Sequence, residues 1–143
     1  VTHVYWDTNM FIYLWENNAT LGPATQQLWK QMLAAKVGLV TSTMTLGEIR
    51  VGPLRKGQED VAAQYRAAIK AAATVVPFDE KAADRFATIR AETPVKQPDG
   101  IHLASAAVHG VELFITNDEK LCKLRIPGIH FIVSIDTALR LLA

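Results

Sequence analysis

Short apolar runs alternate along the chain with longer stretches in which apolar residues return every three or four positions. The runs at residues 3–6, 37–40, 75–78, 111–116 and 129–133 have strand length and are rich in β-branched and aromatic side chains, so they predict about five strands. Between them, Val61, Tyr65, Ala68, Ile69 and Ala72 recur at helical spacing, as do Ala82, Ala83, Phe86 and Ile89, which predicts amphipathic helices. Residues 101–108 are apolar on nearly every side, interrupted only by His102 and Ser105, and this segment should be the most buried helix. Strands separated by helices imply crossover connections and a mainly parallel sheet. The expected fold class is therefore α/β: three layers, α/β/α, around a mainly parallel central sheet of about five strands.

Gly22-Pro23, Gly52-Pro53, Gly57, Thr93-Pro94 and Pro127-Gly128 punctuate the chain locally, and no repeat or low-complexity tract divides it. Its 143 residues suit one domain spanning 1–143. Half the residues are hydrophobic and a fifth are charged, which excludes a disordered chain. The net charge of +1 gives too weak a global field to bind nucleic acid by charge alone, so any such contact must be local. Cys122 is the single cysteine; it rules out an internal disulfide and a thiolate zinc cluster, and is expected to be a reduced, partly buried thiol. No apolar run has membrane-spanning length, and the chain opens on a strand-like segment at Val1 rather than on a charged leader, which makes the cytoplasm the expected location.

In a parallel α/β sheet, ligands bind in the crevice outside the carboxyl ends of the strands. Four acids are directed there. Asp7 follows the first strand within Asp7-Thr8-Asn9, and Asp118 follows the fourth within Thr116-Asn117-Asp118. Glu48 lies in the opening turn of a helix expected to begin near Thr45, just past the second strand. Asp99 starts a helix over residues 98–109 that feeds the strand at Val111, so its first turn returns to the same edge. Singly, each acid fits a helix start, where capping and the macrodipole contribute about 0.3–2 kcal/mol; Thr45-x-x-Glu48 has the form of a capping box. Capping, however, requires no convergence. Two carboxylates about 4 Å apart repel by roughly 4 kcal/mol at an effective dielectric near 20, and no lysine or histidine follows these acids at a spacing that guarantees neutralisation. Oxygen-only donors suit a hard cation, Mg²⁺ or Mn²⁺, which can activate water and stabilise charge on phosphorus during phosphodiester cleavage.

On these residues the chain resembles the PIN domain family, and within it the VapC-like toxins of type II toxin–antitoxin systems. The resemblance runs through Asp7-Thr8-Asn9, Leu46-Gly47-Glu48, Pro98-Asp99 leading into Leu103-Ala104-Ser105-Ala106-Ala107, and Leu113-Phe114-Ile115-Thr116-Asn117-Asp118. It implies a PIN-like fold and a Mg²⁺- or Mn²⁺-dependent endoribonuclease, with Asp7, Glu48, Asp99 and Asp118 as its catalytic acids. Asp7 and Asp99 would be the principal metal ligands, with Asp118 and Glu48 coordinating directly or through water. Thr8, Asn9, Thr116 and Asn117 would orient the acids or bound water. The resemblance further implies a homodimer and a small antitoxin protein that blocks the site. Gly100, directly after Asp99, departs from the alanine frequent in the family.

Other residues invite functional readings. His102, three positions after Asp99, could share a helix face with it, although a packed or hydrogen-bonded histidine is the ordinary expectation. Arg50 and Lys96, near the acids in sequence, could contact RNA phosphates, as could Lys36, Arg55 and Lys56. Phe11, Trp15, Trp29 and Tyr65 could stack on bases, but their helical spacing favours packing or a dimer surface. Among rival classes, a receiver domain that accepts a phosphoryl group on aspartate needs paired acids after the first strand, where only Asp7 stands. A dehalogenase-type phosphatase needs an aspartate where Asn9 stands. The remaining alternative is a PIN-like module that binds RNA or protein without catalysis, which loss of one acid would have favoured.

Overall fold

Strand β1 (His3–Trp6) lies at the centre of a sheet because its residues are apolar on both faces: Val4, Tyr5 and Trp6 are all fully buried. In the computed structural model, which describes residues 1–16 and 18–143, the sheet has five strands in the order β3-β2-β1-β4-β5 and every pairing is parallel. The remaining strands are β2 (Gly38–Ser42), β3 (Thr74–Val76), β4 (Val111–Ile115) and β5 (Ile129–Val133). Val4 pairs with Leu39 on one side and Leu113 on the other, which brings the ends of β1 and β4 level.

The helices are α1 (Thr8–Trp15), α2 (Leu21–Ala34), α3 (Thr43–Arg55), α4 (Glu59–Ala72), α5 (Glu80–Glu92), α6 (Gln97–His109) and α7 (Ile135–Leu141). The alternation of side chains along a strand divides them into two layers. Val4, Trp6, Leu113 and Ile115 pack with Phe11 of α1, Leu28 and Met32 of α2 and Ile135 of α7. Tyr5, Val40 and Phe114 face the other way, against Ile89 of α5 and Leu103, Ala104 and Ala106 of α6. Helix α6 is the most thoroughly buried, as its all-round apolar pattern predicts, and even His102 and Ser105 are inside. The aromatic residues form a packed chain rather than an exposed platform: Trp29 meets Trp6, Trp6 meets Phe11, Phe11 meets Trp15, and Trp15 stacks on Tyr65 with ring centroids 5.6 Å apart.

Some boundaries differ from those read in the sequence. The expected strand at 75–78 stops at Val76, because Pro77 has no N–H to continue the ladder. The second strand extends through Thr41 and Ser42, which are polar but wholly buried. Helix α3 therefore begins at Thr43, not near Thr45, and α6 begins at Gln97, one residue earlier than expected. Gly100 has a packing reason: a Cβ there would lie 3.0 Å from Phe86 Cε2 and 3.2 Å from Arg90 Cδ, so its absence lets α6 approach α5 closely. Cys122 is a partly buried free thiol.

Gly128, at the turn into β5, is constrained more tightly. Its φ is +99°, and an added Cβ would stand 2.3 Å from the backbone oxygen of Ala107. Both the backbone conformation and the contact oppose any side chain. We expect Gly128→Ala to cost about 1–3 kcal/mol or more in urea denaturation, and an unchanged midpoint would show that the turn is not so constrained.

Candidate active site

The chain runs from β1 outward through β2 to β3, then returns to place β4 and β5 on the far side of β1. The order therefore reverses between β1 and β4, and the crevice outside their carboxyl ends is the topological switch point where open α/β sheets bind ligands. Asp7 stands at the end of β1 on this crevice, and the Thr116-Asn117-Asp118 turn leaves β4 beside it.

Asp7 is 8% exposed, and its Oδ1 is buried without a hydrogen-bond partner among the described residues. It occupies the N-cap of α1 with the Met10 amide, at the third helical position, facing its carboxyl, but no side-chain hydrogen bond of full capping geometry forms. Burial pushes its carboxyl up to about 6; His102 and the Met10 amide oppose the shift, whereas the charges of Asp99 and Glu48 add to it. Asp99, in the first turn of α6, is also raised, first by burial and then by the charge of Asp118, with a smaller contribution from Glu48 and an opposing one from Lys96. The four acids thus share one electrostatic environment. They are not a ready-made cage: among the described residues no three His, Cys, Asp or Glu side chains are close enough together to hold an ion.

Glu48 is held differently. Its Oε1 accepts a hydrogen bond from Thr8 Oγ1 at 2.6 Å and is 2.8 Å from Nε2 of His102. Burial would raise its carboxyl, but the bonds to His102 and Thr8 outweigh this and hold it below its usual range. The capping box anticipated for Thr45-x-x-Glu48 does not form, because Ser42 occupies the N-cap and the Thr45 hydroxyl is engaged elsewhere. Thr41 Oγ1 lies 2.7 Å from the carbonyl of Trp6, which can only accept, and 2.8 Å from Thr45 Oγ1. Thr41 therefore donates to Trp6 and receives its second bond from Thr45, which ties the start of α3 to the end of β1. His102 reaches the site from α6, with Nδ1 2.7 Å from the hydroxyl of Tyr5. A histidine thus stands against one of the acids, although no spacing in the sequence guaranteed it. Burial keeps the Tyr5 phenol far above its usual range.

The supporting residues fall out unevenly. Thr8 binds Glu48 directly, and Thr116 Oγ1 accepts from the Asp118 amide at 3.1 Å, while Asp118 Oδ1 accepts from the Lys120 amide at 2.9 Å. Asp118 is exposed, and the bond from Lys120 is local turn chemistry of the kind short acids favour. Asn9 is exposed on α1, and Asn117 lies beside the hydroxyl of Tyr13, whose phenol is raised by burial and by the charge of Asp7. Lys96 borders Asp99. Arg50 does not join the acids; it bonds the Leu46 carbonyl and lines a groove between α3 and α4 with Leu54 and Arg66. Lys36 precedes β2 and so lies at the opposite edge of the sheet. Tyr5, Thr41, Thr45 and His102 are participants that sequence spacing alone did not assign to the site.

The sequence matches the model of the PIN domain over residues 4–127, most of its length. The chain belongs to the PIN domain family. Comparison with curated proteins finds no match. Among solved structures, this PIN domain is similar to a chain of a toxin–antitoxin complex from Klebsiella pneumoniae, at 27% identity and a TM-score of 0.63 over 88% of this chain and 94% of that one. DNA-bound VapBC from Salmonella typhimurium is similar at 22% identity and a TM-score of 0.69, covering 94% and 99% of the two chains. VapBC2 from Rickettsia felis, bound to a promoter DNA fragment, matches at 15% identity and a TM-score of 0.68, covering 93% and 98%. The last two likenesses are of fold. Among the described residues no helix is long and apolar enough to cross a membrane.

The raised Asp7 carboxyl has a consequence for stability. Between its unfolded value of 3.8 and its folded value of about 6, the native state binds more protons at Asp7 than the unfolded state, so stability falls as pH rises through that window. Above it the loss is complete, on the order of 2–3 kcal/mol. Asp7→Asn should accordingly be the more stable protein at pH 7.5 without divalent ions, with the difference closing near pH 4. Equal thermal midpoints at both pH values would refute the burial cost.

Proposed function

We propose that this PIN domain is a metal-dependent endoribonuclease that hydrolyses RNA phosphodiester bonds. The observation that carries this reading is the orphaned, buried Oδ1 of Asp7 at the switch-point crevice, within the fields of Asp99 and Glu48. A carboxylate held at such cost, with like charges for neighbours, fits a site completed by a cation. The oxygen-only donors fit Mg²⁺ or Mn²⁺, and a hydrated ion of this kind is commonly held by one or two carboxylates, which agrees with acids that are near one another without forming a cage.

Asp7 and Asp99 are the residues that would hold the ion, with Asp118 and Glu48 contributing directly or through water. When bound, the ion supplies an activated water and charge stabilisation at phosphorus. The chain's own residues do the positioning. Thr8 fixes Glu48, the Thr116 hydroxyl holds the Asp118 amide, and Asn9 and Asn117 stand at the rim where water or substrate would be oriented. Lys96 offers a local cation next to Asp99 for a backbone phosphate, which a chain of net charge +1 needs in place of a global field. The likeness to a chain of a toxin–antitoxin complex supports a further step: the domain acts as the toxin of such a pair, as a homodimer, and a small antitoxin protein occludes the crevice.

Purified protein should cut RNA only when Mg²⁺ or Mn²⁺ is supplied. Asp7→Asn and Asp99→Asn should each lower the rate by at least about 100-fold while circular dichroism shows an intact fold. Full cleavage in excess EDTA would contradict the reading.

A further inference from the structure

Glu48 is the acid whose geometry is most fully determined, and the determinants lie on three other elements. Thr8 comes from the first turn of α1, His102 from α6 and Tyr5 from the middle of β1. A carboxylate can only accept, so Nε2 of His102 carries a proton in either charge state of the ring. Nδ1 meets the Tyr5 hydroxyl, and both ring nitrogens are thereby satisfied. The ring cannot easily turn. Tyr5 stacks on Phe114 at 5.0 Å between centroids and 9° between planes, and it meets the His102 ring edge-on at 5.9 Å. Both donors to Glu48 converge on Oε1, and Oε2 makes no hydrogen bond among the described residues.

We propose that His102, braced by Tyr5, is a positioning residue that pins Glu48 through Oε1 and leaves Oε2 as the oxygen available to the metal. This rests on the proposed metal site. His102 acts through Glu48 and is not itself a ligand, because its Nε2 lone pair is occupied by the proton it gives to Oε1. Tyr5 touches neither metal nor substrate and acts one step further back. The arrangement gives a role to two hydrogen-bonding side chains buried between the sheet and α6, where Tyr5 also meets the enclosed hydroxyls of Thr41 and Ser42.

Calorimetric titration with Mn²⁺ tests this without RNA. His102→Leu should weaken Mn²⁺ binding by about 10–100-fold, the usual effect of removing a group that orients a ligand. His102→Gln, whose amide N–H can take the place of Nε2–H, should remain within a few-fold of the unaltered protein. Tyr5→Phe should weaken binding less than His102→Leu, since the donor to Glu48 survives while its brace is lost. Should the leucine variant fail to fold, His102→Asn serves instead, because its shorter amide cannot reach Oε1 and it should bind Mn²⁺ more weakly than the glutamine variant. In RNA cleavage the loss should appear in kcat, with KM for RNA held. A folded leucine variant with unchanged Mn²⁺ affinity would overturn the proposal, as would a glutamine variant no better than the leucine or asparagine one. Protein that binds Mn²⁺ with this dependence on position 102 but cuts no RNA would uphold it while removing the nuclease reading.

Discussion

Placing a carboxylate at the end of a central, fully buried strand puts a charge where water cannot easily solvate it. Asp7 lies there, nearly covered, with one oxygen unpartnered and two further acids within its field. Its carboxyl is raised to about 6, so burial opposes its ionised form. The remaining features of the crevice follow from that opposition. Acids that repel one another stay near without closing into a cage, and a cation is the one component that would relieve all of them together. Stability given up at such a position is the ordinary mark of a functional site.

The fold meets this constraint with rigidity. Parallel pairing on both sides brings the ends of β1 and β4 level, and α6 is held against β1 and β4 by Tyr5, Phe114 and Leu103. Hydroxyls then connect the layers at the edge. Thr41 binds the Trp6 carbonyl, Thr45 binds Thr41, and Thr8 binds Glu48, so that α1, β2 and α3 are tied to the end of the same strand. Each hydroxyl has one proton to give, and each gives it to a group that can only accept or to the next hydroxyl. A single arrangement of donors results. This suits a site in which neighbouring acids must be held in fixed positions.

Much of this was legible in the sequence because it depends on pattern. The first and last strands are bounded by Asp7 and by Gly128 and Ser134, and their limits agree with the pattern to the residue. The burial of α6 follows from its unbroken apolar surface. The direction of the four acids to one edge follows from topology alone. Thr41 and Ser42 extend the second strand beyond its apolar run because polarity marks a strand end only when the residues meet water, and these are enclosed. The Thr45–Glu48 spacing imitated a capping box, yet the helix starts two residues earlier and both side chains bond across elements. His102 and Tyr5 are 97 residues apart, and no local periodicity encodes a hydrogen bond between them. Arg50 was near the acids in sequence but turns into the α3–α4 groove, since a helix carries residues i and i+2 to different faces.

The proposed nuclease depends on a divalent ion held in the crevice by Asp7 and Asp99. Crystals soaked in Mn²⁺ and measured near its absorption edge would test this most directly. An anomalous peak bonded to both carboxylates is expected, absent from crystals of Asp7→Asn. A saturating soak that places no manganese there, or places it away from Asp7 and Asp99, would contradict it.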